Sequence, residues 1–365
     1  ETSGAIVTAA DIARLFAEDG VSFLGEVMNV PGVLSGDAGL AAKLDVARRH
    51  GAPIDGHAPG LTGDGLAAYA AAGIGTDHEC VGVDEALEKI RHGMYVMLRE
   101  GSAARNFDAL LPLFATAPER LMLCSDDKHP DELAGGHINV LVRRALAAGV
   151  PLADVLRAAT LNPVAHYRLP LGLLRPGDSA DFIVVEGPLE RMAIGESWLR
   201  GVCVMRAGRY VGPVPEVRIV NRFERSGIEA AELAVPACGG AAAVVRVIGV
   251  EDGQLVTRKE SARLPVADGA VLADPSRDIL KLVVVNRYDD TSPPAVAFVR
   301  GFGVGAGALA SSVAHDSHNI IAVGGDDAAI VRAVNRVAAA RGGIAAVARD
   351  NREAFLGLPF GGLVA

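Results

Sequence analysis

Residues 52–80, "APIDGHAPGLTGDGLAAYAAAGIGTDHEC", contain two short apolar runs that end near a histidine, His57 and His78. A helical pattern, "DGLAAYAAA", separates the two runs. A strand, a helix and a second strand in this order form a crossover unit, in which the two strands are parallel. The segment therefore predicts a parallel sheet with a histidine at the carboxyl end of each of two neighbouring strands.

The same alternation of strand and helix extends from residue 21 to about residue 160. The predicted strands are "VSFLGEVMN", "APIDGHA", "GIGTDHE", "MYVMLRE" and "RLMLCSD". They end, in this order, on Glu26, His57, His78, Arg99 and Asp126. A (β/α)8 barrel builds its active site from such strand ends, whereas a doubly wound sheet binds ligands mainly at one switch point. Five consecutive polar ends therefore favour a barrel.

The rest of the chain changes pattern twice. Residues 169–212 are short apolar runs with glycine turns, which predict a small β domain. From about residue 215 come three further strand patterns, "AAAVVRVIGV", "DILKLVVVNRY" and "AVAFVRGFG". A helix follows, with Asp326 and Asp327 at its start and Gly342 past its end. This last part is predicted to be a separate α/β or α+β domain.

Composition narrows the class of function. Half of the 365 residues are hydrophobic and the net charge is −9, so the chain is globular and has no basic stripe to meet a phosphate backbone. We therefore expect no nucleic-acid partner. No apolar run is long enough to span a bilayer, so no membrane association is expected. The four cysteines form no C-x-x-C pair, which favours a reduced, cytoplasmic setting.

The strand-end residues suggest metal chemistry. Two imidazoles, His57 and His78, with two carboxylates, Glu26 and Asp126, suit divalent Zn, Mn or Fe. Such a metal acidifies water, and a carboxylate at a strand end can accept the proton. The alternative is that these groups only cap strands and meet helix N-termini, and spacing alone leaves both interpretations open.

Longer motifs point to a family. They are "EVMNVPGVLSGD", "DGHAPGL", "GIGTDHECV", "GMYVMLREGSAARN", "CSDDKHPDEL" and "SSVAHDSHNIIAVGGDD". Together they resemble the adenine deaminases, which belong to the amidohydrolase superfamily of metal-dependent (β/α)8 hydrolases, over essentially the whole chain. "LGLLRPGDSADFIVVE" resembles the strand with which this superfamily returns to a small β-sandwich. The resemblance implies an α/β fold in three parts: the last five units of a TIM-type barrel (1–168), a small β-sandwich segment (169–214) and a C-terminal α/β domain (215–365).

The resemblance also implies roles for single residues. Glu26 matches a metal-bridging carboxylate, and His57 and His78 match metal ligands. Asp126 matches the aspartate that contacts the metal and moves the proton from water to the leaving amine. The implied cofactor is a divalent metal in a binuclear site, Mn or Fe, with Zn as an alternative. The implied reaction is the hydrolysis of adenine to hypoxanthine and ammonia in purine salvage, by a homo-oligomer such as a dimer.

One departure from the superfamily pattern concerns its first strand. Amidohydrolases usually open with an H-x-H pair, and here no such pair precedes the five units. "HDSH" at residues 315–318 has the wrong spacing. We therefore expect the chain to start part-way through a longer protein. The alternatives are another amidohydrolase, such as an N-acyl deacetylase or a different nucleobase deaminase, or a non-catalytic relative that lacks the upstream ligands.

Several further residues are candidates for catalysis or substrate binding, each with a simpler alternative. Arg99 and Glu100 contact substrate or form an ion pair with each other. Glu79 donates a proton or only supports His78. Asp127 contacts substrate or is a solvated loop charge.

The histidines of "SSVAHDSHN", His315 and His318, are candidates of a different kind because they lie far along the chain. They contact substrate, or they belong to a hydrogen-bonded loop that holds the last domain together. The polar run between apolar flanks is compatible with both.

Overall fold

Two units make up the computed structural model, which describes residues 3–214, 216–252, 256–350 and 352–364. The first unit is residues 7–215, and the second is residues 216–365 together with residues 1–6. None of the helices in the described ranges combines the length and the apolarity that crossing a membrane requires.

The first unit begins as a series of strands and helices. Its parallel strands are β1 (Leu24–Val27), β2 (Ile54–Gly56), β3 (Thr76–Asp77), β4 (Tyr95–Arg99) and β5 (Leu121–Cys124). Its α-helices are α1 (Ala9–Glu18), α2 (Val30–Ser35), α3 (Ala38–Arg49), α4 (Gly63–Ala71), α5 (Val83–Arg91), α6 (Phe107–Leu110), α7 (Pro130–Gly135), α8 (Ile138–Ala147), α9 (Leu152–Leu156) and α10 (Asn162–Tyr167). A π-helical turn, Arg157–Leu161, joins α9 to α10.

The spatial order of these strands follows the chain. β1 pairs with β2, and β3, β4 and β5 pair in sequence. Gly75 N donates to Ile54 O at 2.9 Å, so β3 lies beside β2. A doubly wound sheet reverses its strand order at a switch point, and this unit does not. The predicted α/β class with barrel-type strand order is confirmed.

Alternation along each strand decides which side chains face the helices. In β4, Val96 and Leu98 are fully buried and pack with Phe107, Leu110 and other helix residues. The residues between them lie on the opposite face of the sheet. The apolar residues therefore fix the strands against the helix layer, and the polar strand ends stay together on one edge.

The remaining strands of this unit form an antiparallel sheet. They are β6 (Phe182–Glu186), β7 (Ala193–Leu199), β8 (Val202–Arg206) and β9 (Arg209–Tyr210), paired in chain order. Arg200–Gly201 and Ala207–Gly208 make the tight turns, and all four residues have positive φ. Hairpins of this kind need positive φ at both central residues, which explains the glycines. The predicted strands with glycine turns are present, whereas the boundaries of the three domains stay a prediction.

The second unit is built around one nine-stranded sheet. Its strands are β10 (Ala242–Gly249), β11 (Arg258–Ala267), β12 (Ala270–Val271), β13 (Leu280–Val285), β14 (Ala295–Arg300), β15 (Ala308–Ser311), β16 (Ile320–Gly324), β17 (Gly343–Val347) and β18 (Glu353–Gly357). The order among the described residues is β12-β11-β10-β14-β13-β16-β15-β17-β18.

One helix, α11 (Asp327–Ala339), packs on this sheet. Asp326 caps it by accepting a hydrogen bond from Ala329 N at 2.8 Å. Ile330, Val334 and Val337 are fully buried in the core that the helix shares with the sheet. The polar helix start that the sequence predicts is thus an N-cap, which satisfies backbone donors at the helix end.

Candidate metal centre at the strand ends

The five strands of the first unit bring their polar ends to one edge. Glu26 lies in β1, His57 follows β2, His78 follows β3, Arg99 ends β4, and Asp126 comes two residues after β5. The carboxyl ends of parallel strands meet at the same edge of a sheet, so residues far apart in sequence become neighbours.

Glu26, His57 and His78 form the first candidate ligand group. Glu26 Oε2 lies 2.8 Å from His57 Nδ1 and 3.7 Å from His78 Nε2. One ligand atom from each residue lies within 4.8 Å of the others. Two imidazole nitrogens and a carboxylate oxygen form a donor set that divalent Zn, Mn and Fe accept. The residues present therefore fit a metal.

His78, Glu79 and Asp126 form a second candidate group, in which one ligand atom from each residue also lies within 4.8 Å of the others. Glu79 Oε1 lies 3.3 Å from His78 Nε2 and 3.6 Å from His57 Nδ1, so it stands between the two histidines. Asp126 has φ 53°, in the left-handed region that non-glycine residues seldom adopt. Backbone strain of this kind is concentrated at functional sites.

Arg99 joins the two carboxylates of the second group. Its side chain is 7% exposed, its Nη1 donates to Asp126 Oδ2 at 2.7 Å, and both Nη atoms donate to Glu79. Burial alone would lower the pKa of Arg99, but Glu79 and Asp126 outweigh it and leave the pKa raised. The guanidinium therefore stays charged and holds Glu79 beside Asp126.

Two other predicted site residues, Glu100 and Asp127, have contacts outside the two ligand groups. Glu100 pairs with Arg144 at 2.8 Å and Arg99 pairs with Glu79 and Asp126, so the alternative of an ion pair between Arg99 and Glu100 is not observed, and contact of Glu100 with substrate stays a prediction. Arg99 and Glu100 do not pair with each other because consecutive side chains of a strand point to opposite faces. The backbone oxygen of Asp127 accepts a hydrogen bond from Ser102 N at 2.9 Å.

His315 and His318 belong to the second unit. Their rings are 5.8 Å apart, edge to face, and His315 Nδ1 lies 2.5 Å from Asp316 Oδ1. Contact of either histidine with substrate stays a prediction.

A buried ion pair beneath the histidines was not predicted from the sequence. Asp77 and Lys89 have fully buried side chains, and Lys89 Nζ donates to Asp77 Oδ2 at 2.9 Å and Glu85 Oε1 at 2.7 Å. Burial favours raising the pKa of Asp77, but Lys89 and backbone donors outweigh it and leave the pKa lowered. Burial likewise opposes the charge of Lys89, and Asp77 leaves that pKa raised. The sequence contains one indication that Lys89 is buried: it follows Ala86 by three residues and so lies on the same buried face of α5.

Two further buried side chains hold the histidine loops. The Tyr69 hydroxyl accepts from His57 N at 3.1 Å and donates to Val27 O at 2.6 Å. Burial raises the pKa of Tyr69 to about 12, so the hydroxyl stays neutral and can donate. Asn106 Nδ2 donates to His78 O at 2.9 Å, and Asn106 Oδ1 accepts from Arg99 N at 2.7 Å.

Comparison with known proteins identifies the family to which this chain belongs. Residues 2–211, more than half of the chain, match the Amidohydrolase family. The chain belongs to the amidohydrolase family. Residues 254–365 match a second description, the Adenine deaminase C-terminal domain. Amidohydrolase membership implies a divalent metal, and the two candidate ligand groups agree with that implication.

Curated relatives match the whole chain and not only residues 2–211. An adenine deaminase from Salinibacter ruber is 52% identical over 364 residues, which is 100% of this chain and 66% of that protein. One from Parabacteroides distasonis is 46% identical over the same shares of each chain. The chain thus spans about two thirds of the length of these relatives. A solved structure, a β-aspartyl dipeptidase from Fervidobacterium islandicum AW-1, is 18% identical and covers 57% of this chain and 62% of its own, with a TM-score of 0.42.

Proposed function

We propose that this chain is part of an adenine deaminase, which hydrolyses adenine to hypoxanthine and ammonia. The convergence of Glu26, His57 and His78 at three consecutive strand ends supports metal-dependent hydrolysis most directly. The adenine deaminases that match the whole chain at 46–52% identity support adenine as the substrate. A purine-salvage role follows from this reaction.

Glu26, His57, His78 and Asp126 are the proposed metal ligands. Two neighbouring candidate groups, one with Glu26 and His57 and the other with Glu79 and Asp126, support a binuclear centre. Mn or Fe is the proposed metal, and the donor set also accepts Zn. A metal held by these residues would supply Lewis acidity and would lower the pKa of its bound water to near neutral.

Proton transfer is assigned to Asp126 and Glu79. Asp126 accepts a proton from the attacking water and returns it to the leaving amine. A C–O bond forms and the C–N bond to the amine breaks, so the products are hypoxanthine and ammonia. Glu79 protonates the purine ring nitrogen as negative charge develops there, and it regains a proton from the hydroxyl group when the carbonyl of hypoxanthine forms. Arg99, which contacts both carboxylates, positions them for these roles.

The proposed setting is the cytoplasm, and the proposed assembly is a homodimer. All four cysteines are unpaired, which supports a reducing compartment. Adenine is the proposed partner of the site, and Arg99, Glu100, Asp127, His315 and His318 stay candidates for its contacts. For Glu100, the pairing with Arg144 weakens that assignment.

Ammonia release from adenine tests the proposed reaction. The intact gene product is treated with a chelator and then supplied with Mn²⁺ or Fe²⁺. We expect release to disappear with chelation and to return with the metal. Release from acetylated amino sugars, with none from adenine, would instead identify an N-acyl deacetylase. No release from either substrate would favour a non-catalytic relative.

His318→Ala tests the substrate contact assigned to the second unit. If His318 contacts adenine, KM is expected to rise about tenfold with a smaller change in kcat, since one hydrogen bond to a bound group is lost. Steady-state kinetics of ammonia release measures both constants. Unchanged KM and kcat would show that the histidine only supports its own loop.

A further inference from the structure

A buried network lies directly beneath the loops that carry the two histidines. We propose that the Asp77–Lys89 pair positions His57 and His78 for metal binding. This inference rests on the proposed function only through the metal centre, and not through the identity of the substrate.

The pair holds the His57 loop through the next residue in the chain. Ala58 N donates to Asp77 Oδ1 at 2.8 Å, and Lys89 Nζ donates to Ala58 O at 2.7 Å. Both backbone polar groups of Ala58 are therefore bound by the ion pair. The backbone on the carboxyl side of His57 cannot shift without breaking a buried hydrogen bond, which is costly.

The same carboxylate also holds the His78 loop. Asp77 directly precedes His78, and its Oδ2 accepts from Glu79 N at 3.1 Å and from Cys80 Sγ at 3.2 Å. One side chain therefore touches both histidine loops. The spacing of the two imidazoles depends on Asp77 staying in place, and Lys89 fixes its Oδ2.

Glu85 completes the network at its partly exposed edge. Its Oε1 accepts from Lys89 Nζ at 2.7 Å and from Gly60 N at 2.9 Å, and its Oε2 accepts from Val81 N at 3.1 Å. Gly60 and Val81 follow His57 and His78 by three residues each. The network thus ties both loops to α5 at two points.

The network does not itself hold a metal. Asp77, Cys80 and Glu85 have ligand atoms within 4.8 Å of one another, but the Lys89 ammonium already lies against Asp77 and Glu85. Stability alone does not explain the pair, because replacing a buried ion pair with apolar groups is often neutral or stabilising. Metal ligands, in contrast, need geometry held within about 0.5 Å, and supporting residues supply it.

Metal affinity without substrate tests the inference. Lys89→Met is titrated with Mn²⁺ while electron paramagnetic resonance counts the free ion. We expect affinity about 10- to 100-fold below that of the unmodified protein, the usual effect of losing a residue that supports a ligand. The visible spectrum of the Co²⁺-loaded protein should also change, because the ligand geometry changes.

Lys281→Met is the matched control. Lys281 is also buried, donates to Asp327 Oδ2 and to Leu233 O, each at 2.8 Å, and belongs to the second unit. We expect its Mn²⁺ affinity and Co²⁺ spectrum to be unchanged. Equal losses of affinity in the two variants would overturn the inference, since any buried lysine would then have the same effect.

Glu85→Gln is the second variant, for use if Lys89→Met does not fold. It keeps the side-chain shape and weakens the hold on Lys89, so a smaller loss of Mn²⁺ affinity, about threefold to tenfold, is expected. If this variant folds and its Mn²⁺ affinity and Co²⁺ spectrum equal those of the unmodified protein, the inference is overturned. Absence of Mn²⁺ binding in the unmodified protein would overturn the metal centre as well, whereas binding without adenine turnover would overturn only the reaction.

Discussion

Asp126→Asn is expected to reduce adenine turnover by about 10³-fold while the protein stays folded. The amide keeps the size of the carboxylate, but it cannot accept a proton from water and return it to the leaving amine. Asp126 has a left-handed backbone conformation that asparagine also adopts, so the loop should keep its shape in the variant. Steady-state ammonia release measures turnover, and thermal melting reports the fold.

Asp108→Asn provides the control for this variant. Asp108 is in the same unit with a side chain that is 79% exposed, and it pairs with Arg144 at 2.7 Å. An exposed ion pair contributes about 0–1 kcal/mol, so this change should leave turnover and melting close to those of the unmodified protein. Near-normal turnover of Asp126→Asn would remove Asp126 from the mechanism, whatever its position at the strand end.

The strand order and the strand ends could be predicted because both depend on local patterns. Apolar runs that stop at Glu26, His57 and His78 identify strand ends, and parallel pairing brings those ends to one edge. The neighbouring strands β1 and β2 bring Glu26 Oε2 to 2.8 Å from His57 Nδ1. The motif resemblance added the family, which the match over residues 2–211 confirms.

The supporting residues could not be predicted because their contacts are tertiary. Lys89 is separated from Ala58 by 31 residues, and nothing in either local pattern predicts that they touch. Asp77 looks like one of several polar residues beside His78. The partner of Glu100 could not be predicted either: it pairs with Arg144, 44 residues further along the chain.

His78→Ala is expected to lower both metal content and adenine turnover by at least about 10²-fold, since losing even an outer supporting residue costs 10- to 100-fold. His78 belongs to both candidate ligand groups, whereas Glu26 belongs to one. His78→Ala removes the ligand nitrogen, whereas Glu26→Gln keeps an oxygen donor, so His78→Ala should weaken metal binding more. Elemental analysis of the purified protein gives the metal content, and ammonia release gives the turnover.

His50→Ala is the control, because it removes a histidine that belongs to neither candidate ligand group. His50 caps the end of α3, where its Nδ1 lies 2.9 Å from Val46 O and its ring stacks on Phe16 at 5.0 Å. Its removal should leave the metal content unchanged. Full metal content in His78→Ala would place the metal elsewhere, because the His78 imidazole is one of the proposed ligands.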